Sequence, residues 1–219
     1  MRVLTTALTG AALCCFASTS AFAAVTVAST DFGFAPPAGA DALVDFDSAL
    51  PSSFSLSGGS VRNVDDSLGA FPAIAPNVKE SSYYLSANAG DAATLMSTQG
   101  YREVSLYWGS IDSYNTISLL DELGNAFQSY TGADIIAAAN GNQFVSETNR
   151  RVTFATNGLT SAIYGLKFES SSPAFEVDNI AFSGAVPEPT TWAMMIVGIG
   201  LVGGAMRRRQ RLSYAPSFG

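Results

Sequence analysis

The chain has 219 residues, 47% of them hydrophobic and 13% charged, and its 11 basic and 18 acidic residues give a formal net charge of −7. This apolar content argues against a disordered chain. The acidic balance argues against nucleic-acid binding, which needs a basic face. Histidine is absent, so the commonest general base and the commonest neutral metal ligand are missing.

The N-terminal segment has the pattern of a secretory signal peptide. Arg2 is followed by an uncharged, mostly apolar stretch, residues 3–18, and then by Ala21 and Ala23. A positive start, an apolar core and small residues three and one positions before a cut are typical of such a signal. We predict cleavage between Ala23 and Ala24, which removes both cysteines of the chain. The alternative interpretation is a buried first helix of the fold.

The C-terminal segment combines a proline motif, an apolar run and a basic cluster. Pro187-Glu188-Pro189 is followed by Trp192-Ala193, an apolar run from Trp192 to Met206, and Arg207-Arg208-Arg209. The run gives about 22 Å of helix, short of a bilayer core of about 30 Å. Flanking residues can extend it, so we predict a transmembrane helix. The arginines favour a cytoplasmic C-terminus.

This combination resembles the PEP-CTERM sorting signal in its PEPxxWA form, found in proteins of Gram-negative bacteria. The resemblance covers residues 186–211 and implies recognition by exosortase. It also implies cleavage near residues 187–189 and transfer to the cell surface or release, often alongside exopolysaccharide production. A permanent single-pass anchor is the alternative interpretation.

The intervening body reads as a series of short strands. Val104, Leu106 and Trp108 alternate along one face, as in a strand with one packed and one solvated side. Few segments look helical, which favours an all-β fold, an antiparallel β-sandwich of jelly-roll type. The predicted strands are Val25–Ser29, Leu43–Asp47, Glu103–Trp108, Thr116–Leu120, Arg151–Ala155, Ile163–Glu169 and Phe175–Phe182.

Three further local features are predicted in the body. Apolar residues of the last strand change phase at Asp178-Asn179, which predicts a β-bulge that redirects Asp178. The alternative is a turn-like kink with a solvated aspartate. Ser48–Asn77 is rich in glycine and proline and is predicted to be a long loop. Ala133–Ala139 is the one helix-like segment.

The domain boundaries follow from these patterns. We predict a signal peptide over residues 1–23, a β-sandwich body over 24–185, the sorting signal over 186–211 and a cytoplasmic tail over 212–219. The body contains Trp108-Gly109-Ser110-Ile111-Asp112-Ser113-Tyr114-Asn115 and, near its end, Phe175-Glu176-Val177-Asp178-Asn179-Ile180. With these segments it resembles, over residues 101–182, the β-sandwich of a family of exosortase-dependent surface proteins. That family implies a surface role and no established activity.

Three aspartates are the candidate metal ligands. Asp45 and Asp47 alternate on an early strand, and Asp178 joins them if the first and last strands are neighbours. Carboxylates with carbonyl oxygens form the shell that Ca²⁺ prefers, and the arrangement resembles the structural calcium site of jelly-roll carbohydrate-binding modules. The alternative is that these acids only solubilise the surface. No cofactor is required, and structural calcium stays an open alternative.

Aromatic side chains are the candidate ligand-binding residues. Flat rings beside polar donors suit a carbohydrate. Trp108 shares a face with core residues, so we assign it to the core. Tyr107 points the other way and, with Tyr114, is the predicted sugar-binding surface.

These observations predict an exported, non-catalytic protein of the cell surface or biofilm matrix, with a structural or adhesive role. Its predicted partners are exosortase, extracellular polysaccharide and, transiently through the C-terminal helix of the tethered precursor, the inner membrane, with no nucleic acid. Alternatives are a calcium-stabilised carbohydrate-binding module, a matrix glycoside hydrolase and an ice-binding protein. The hydrolase would need a carboxylate pair, for which no motif is present.

Overall fold

The computed structural model describes residues 24–63, 72–75, 78–79, 82–157, 162–186 and 189–212. Most of these residues form antiparallel β-sheet, as predicted. The elements in chain order are β1 (Val25–Asp31), β2 (Ala42–Val44), β3 (Phe54–Ser57), β4 (Ser60–Arg62), β5 (Ala73–Ala75), β6 (Val78–Lys79), β7 (Tyr84–Ala87), β8 (Ala92–Gly109), β9 (Asn115–Leu120), β10 (Ala126–Thr131), α1 (Gly132–Ile135), β11 (Arg150–Thr156), β12 (Ile163–Ser170), β13 (Phe175–Val186) and α2 (Pro189–Leu212).

β8 organises the main sheet because it is long enough to serve two sets of neighbours. Its first part, residues 92–97, lies between β3 and β12. Its last part, residues 103–108, lies between β11 and β13. β12 continues to β9 and β10, β11 continues to β1, and β13 continues to β2 and to β7 with β4. The sheet therefore has two halves that share β8.

The two halves pack on one hydrophobic core. Phe54 of β3 contacts Phe182 of β13, with ring centroids 4.9 Å apart, and Phe168 of β12 contacts Phe175 of β13 at 5.2 Å. Trp108 is fully buried and stacks on Phe175 at 4.4 Å, which confirms its assignment to the core. Burying each such side chain contributes about 1.5–3 kcal/mol.

A β-bulge interrupts β13 where the sequence predicts it. The register with β8 shifts between Asp178 and Ala181, and Asn179 adopts a φ of 48°, a conformation that asparagine tolerates better than most residues. The apolar residues on both sides of the bulge, from Phe175 to Phe182, thereby reach the same core.

Each predicted strand overlaps an observed one, but β2 covers only Leu43 and Val44 of the predicted Leu43–Asp47, and the sequence misses other strands. β8 extends back to Ala92, and β7 and β10 have no sequence-based counterpart. The predicted long loop Ser48–Asn77 contains β3, β4 and β5, so that prediction is wrong over these strands. Serine and glycine dominate this region, and β3 is held as a strand by its pairing with β8. The predicted helix is reduced to α1.

The half of the sheet that contains β11, β13 and the last part of β8 is covered on its outer face by a further layer. β13 is buried on both faces from Phe175 to Phe182. Residues 32–41 follow β1 and lie across this face, where Arg151 donates hydrogen bonds to the carbonyls of Gly33 and Phe34. We call residues 32–41 the covering segment. The prediction of one solvated face is therefore wrong for β13.

Candidate functional site

The body leads directly into the C-terminal segment. The last residues of β13, Ala185 and Val186, pair with Tyr101 and Gly100 of β8. Residues 187–188 lie outside the described residues, and α2 begins at Pro189. Two residues therefore separate the sheet of the body from α2.

The described side chains of α2 are exposed and largely apolar. Met194 is 72% exposed and Leu201 is 71% exposed. Successive residues point about 100° apart around a helix, so apolar side chains lie on all of its sides. A helix of this kind normally buries its surface in another apolar environment. The exposed apolar residues are Met194, Met195, Ile196, Val197, Ile199, Leu201, Val202 and Met206.

Within the described part of the chain, no helix combines the length and the apolar character that crossing a membrane requires. The run Trp192–Met206 is helical, as predicted. That this helix spans a bilayer stays a prediction.

The structure describes the predicted processing residues only in part. Pro187 and Glu188 lie outside the described residues, as do Ala21 and Ala23, whereas Ala24 is described and exposed. Arg207 is exposed. The backbone of the remaining sorting residues is helical, and these are Pro189, Trp192, Ala193, Arg208 and Arg209.

The three predicted calcium ligands do not come together. Asp45 accepts a hydrogen bond at 3.1 Å from the backbone amide three residues later, and Asp47 accepts one at 2.9 Å from the amide of Tyr83. Asp178 is 1% exposed and lies within the sheet. Among the described residues, no group of three acidic side chains is placed to hold a metal ion.

The early strand and the last strand are nevertheless neighbours in the sheet, as predicted. β2 pairs with β13, so Val44 lies opposite Ile180. However, β2 ends at Val44, and Asp45 and Asp47 leave the sheet before they reach Asp178. The prediction of a shared site is therefore wrong because the early strand is shorter than its sequence pattern indicates.

Asp178 instead belongs to a charged row beneath the covering segment. Tyr107 of β8 pairs with Arg151 of β11 on one side and with Asp178 of β13 on the other. Arg151 also donates hydrogen bonds at 3.1 Å to the Ser105 hydroxyl and to the Asn179 carbonyl. Burial lowers the pKa of Arg151 to about 10, and the charge of Asp178 opposes that shift.

Tyr107 is not a surface residue. It is fully buried, and its ring lies edge-on to that of Phe34, with centroids 5.1 Å apart. The prediction of a surface tyrosine is wrong because alternation places Tyr107 away from the core, while the covering segment then buries it. Its position gives no access to a sugar.

Tyr114 lies at the surface end of a second polar group. It is half-buried, and its hydroxyl donates a hydrogen bond at 3.0 Å to the Pro173 carbonyl. Burial raises the pKa of Tyr114 to about 12, helped by Asp112 and Glu176. A role of Tyr114 in carbohydrate binding stays a prediction.

Glu176 is the buried centre of this second group. The Ser110 hydroxyl donates a hydrogen bond at 3.0 Å to Glu176 Oε2, and the Ser110 amide donates one at 3.1 Å to Asn149 Oδ1. Burial raises the pKa of Glu176 to about 8, the charge of Asp112 adds to the shift, and the Ser110 hydrogen bond opposes it. Glu176 therefore holds its proton at neutral pH.

A serine beside a carboxyl group is also the pairing that activates a nucleophile. Ser110 is 3% exposed and Glu176 is 1% exposed, so neither presents a reactive atom to solvent. The contact joins the end of β8 to β13 and stabilises that junction.

The sequence gives no sign that Arg151 and Glu176 are buried. Both lie on strands that were predicted, and both fall on the side away from the core. The phase change at Asp178 is the one local sign in the sequence that the face of the strand away from the core is not an ordinary solvated face. The covering of that side depends on contacts between distant segments, which a strand pattern does not contain.

Comparison with known proteins identifies the C-terminal segment. A family model described as the PEP-CTERM protein-sorting motif matches residues 185–210. A search of curated proteins found no match to the chain. Among solved structures, the chain is similar to "Crystal structure of Bacteriophage CBA120 tailspike protein 4 enzymatically active domain", with 17% identity over 62% of this chain and 20% of that chain and a TM-score of 0.24. The chain thus spans a fifth of that structure, and at this TM-score the similarity carries no inference.

The described residues define a mostly antiparallel β protein with an exposed C-terminal helix. The chain carries a PEP-CTERM sorting motif, as the sequence predicts. This motif implies an exported protein that is processed by exosortase and sorted to the surface.

Proposed function

We propose that this chain is a non-catalytic surface or matrix protein, cut from its precursor near residues 187–189. Its role is structural or adhesive, together with extracellular polysaccharide. The observation that carries the proposal is the sorting motif, which begins at the last residues of the final strand.

The position of the motif suits separation of the body from α2. β13 ends at Val186, which still pairs with Gly100. A Cβ added at any of four glycines of α2, at positions 198, 200, 203 and 204, would meet no atom of another segment within 4 Å. A cut at residues 187–189 therefore removes α2 and leaves the main sheet and its core intact.

The body suits a structural role outside the cell. We propose that its two packed half-sheets are a β-sandwich of jelly-roll type, covered on one outer face by residues 32–41. Its core is built from aromatic and aliphatic side chains, with no disulfide required. Polysaccharide is the proposed partner because the sorting signal that the chain resembles often accompanies exopolysaccharide production.

Variants of the motif test the processing step. Glu188→Ala, expressed as the full chain with its exosortase, is expected to leave an uncut precursor in the cell fraction. Glu122→Ala is the matched control, since Glu122 is an exposed glutamate in the turn after β9. Equal release of both variants would remove the processing proposal.

Polysaccharide binding needs its own measurement. The processed protein, purified from the medium, is run through native gels that contain the producing cell's exopolysaccharide or dextran. Retardation in the first gel alone supports an adhesive role. Equal mobility in both gels and in a gel without polymer removes the polysaccharide partner and leaves the sorting result unaffected.

A further inference from the structure

β1 is a long, regular strand at an edge of the sheet. Its seven residues, Val25 to Asp31, pair one by one with β11 without a register shift. In the part of the chain that the structure describes, β1 pairs with β11 alone. Its other long side pairs with no strand among the described residues.

The direction of each β1 amide follows from the hydrogen bonds at its two ends. The Asn157 amide donates to the Ala24 carbonyl at 3.3 Å, and the Phe32 amide donates to the Asn149 carbonyl at 3.0 Å. In an antiparallel pair the residues alternate between bonding the partner strand and pointing away from it. Because the register between these ends is unbroken, even-numbered residues bond β11. The N–H and C=O groups of residues 25, 27, 29 and 31 point outward.

β1 lacks the features by which proteins protect such edges. Edge strands are usually short, kinked by a bulge, or marked by proline or lysine. β1 contains no proline and no lysine. Its one charge, Asp31, is paired with Arg150 of β11. By contrast, β10 carries a register shift between Ala126 and Gln128, and β4 has three residues.

We propose that β1 pairs with β1 of a second copy of this chain, antiparallel and about a twofold axis at Ala28. Outward groups must face one another, so odd-numbered residues must oppose odd-numbered residues. Full overlap of two seven-residue strands satisfies this condition, since Val25 then lies opposite the partner's Asp31 and Val27 opposite the partner's Ser29. Ala28 lies opposite the partner's Ala28 as a non-hydrogen-bonded pair.

The side chains are compatible with this register. The two copies of Asp31 lie at opposite ends of the paired strands, about 20 Å apart at ~3.4 Å per residue. That separation exceeds the screening length of about 8 Å at physiological salt, so their repulsion is small. Val27 is 38% exposed at the edge and becomes covered by the partner strand. The continuous sheet then joins two bodies in one particle.

Disulfide trapping tests the register. In the full chain with Cys14 and Cys15 replaced by serine, Ala28→Cys places two thiols on the twofold axis. Cα atoms of such a pair lie about 4.5 Å apart, within the range a disulfide spans. Ala28→Cys is expected to form a covalent dimer under mild oxidation. Thr30→Cys is the control on the same face, because in this register the two copies of residue 30 lie four residues apart along the paired strands. Comparable dimer yields from both variants would overturn the proposed pairing.

Sedimentation velocity of the full chain tests the surface itself. The unmodified chain is expected to sediment as a dimer, and Val27→Lys as a monomer that still unfolds cooperatively. Val61→Lys is the control, since Val61 is an exposed valine on the edge strand β4, and it is expected to remain dimeric. A monomeric unmodified chain overturns the proposal. So does a dimer that survives Val27→Lys, which would assign association to α2 or another surface.

Discussion

Arg151 and Asp178 lie on opposite sides of Tyr107 in three adjacent strands, and both side chains are more than nine-tenths buried. The guanidinium of Arg151 also holds two carbonyls of the covering segment. One arginine therefore links β11, β13 and residues 32–41. This arrangement explains why the covering segment shields the outer face of β11 and β13 from solvent.

Replacing Arg151 is expected to destabilise the body strongly. Arg151→Ala leaves the charge of Asp178 buried without its opposite charge and leaves the carbonyls of the covering segment without their donor. Each buried carbonyl that is left without its donor costs about 1–3 kcal/mol. Urea unfolding of the full chain measures this loss.

The neighbouring arginine supplies the control. Arg150 pairs with Asp31, whose side chain is 54% exposed, and such pairs contribute about 1 kcal/mol or less. Arg150→Ala is therefore expected to shift the unfolding midpoint only slightly. Equal losses in the two variants would contradict the role given to Arg151.

Gly33 is expected to be intolerant of a side chain. A Cβ at Gly33 would lie 2.8 Å from Cβ of Arg151, so Gly33→Ala must push the covering segment away from the sheet. Overpacking of this kind costs about 1–3 kcal/mol. Faster amide hydrogen exchange at residues 32–41 is the readout, and exchange unchanged from the parent chain would show that the segment does not rest on Arg151.

The stability of the body is expected to fall as pH rises towards 8. Burial raises the pKa of Glu176 to about 8 from an ordinary value of 4.5. The folded state therefore keeps a proton that the unfolded state releases above 4.5. The contribution of Glu176 is full below 4.5 and is lost as pH rises through 8.

Glu176→Gln isolates this effect. The amide cannot ionise, so the variant is expected to lose less stability between pH 5 and pH 9 than the parent chain, as measured by urea midpoints. Glu169→Gln is the control, since Glu169 is 41% exposed and pairs with Lys167 at 2.7 Å. Parallel pH profiles for the parent chain and Glu176→Gln would contradict the buried, protonated state of Glu176.

The features that the sequence predicts well are those that local patterns determine. Alternation places Trp108 in the core, and a change of phase locates the bulge at Asp178. The sorting motif is contiguous, so it is recognised without any fold. The same alternation places Tyr107 away from the core, which is correct.

The features that the sequence misses depend on distant contacts. Burial of Tyr107 requires the covering segment, which comes far earlier in the chain, to lie across the sheet. The separation of Asp45 from Asp178 follows from the early end of β2 at Val44, whereas the residues after it continue to look like a strand. Glu176 looks like an ordinary solvated acid until its neighbours are placed.

The most direct test of processing is the intact mass of the protein released by cells that contain exosortase. We expect a single species that begins at Ala24 and ends within residues 187–189, without α2. Released protein that retains residues 190–219 would contradict it, because the sorting motif would then not be a cleavage signal in this chain.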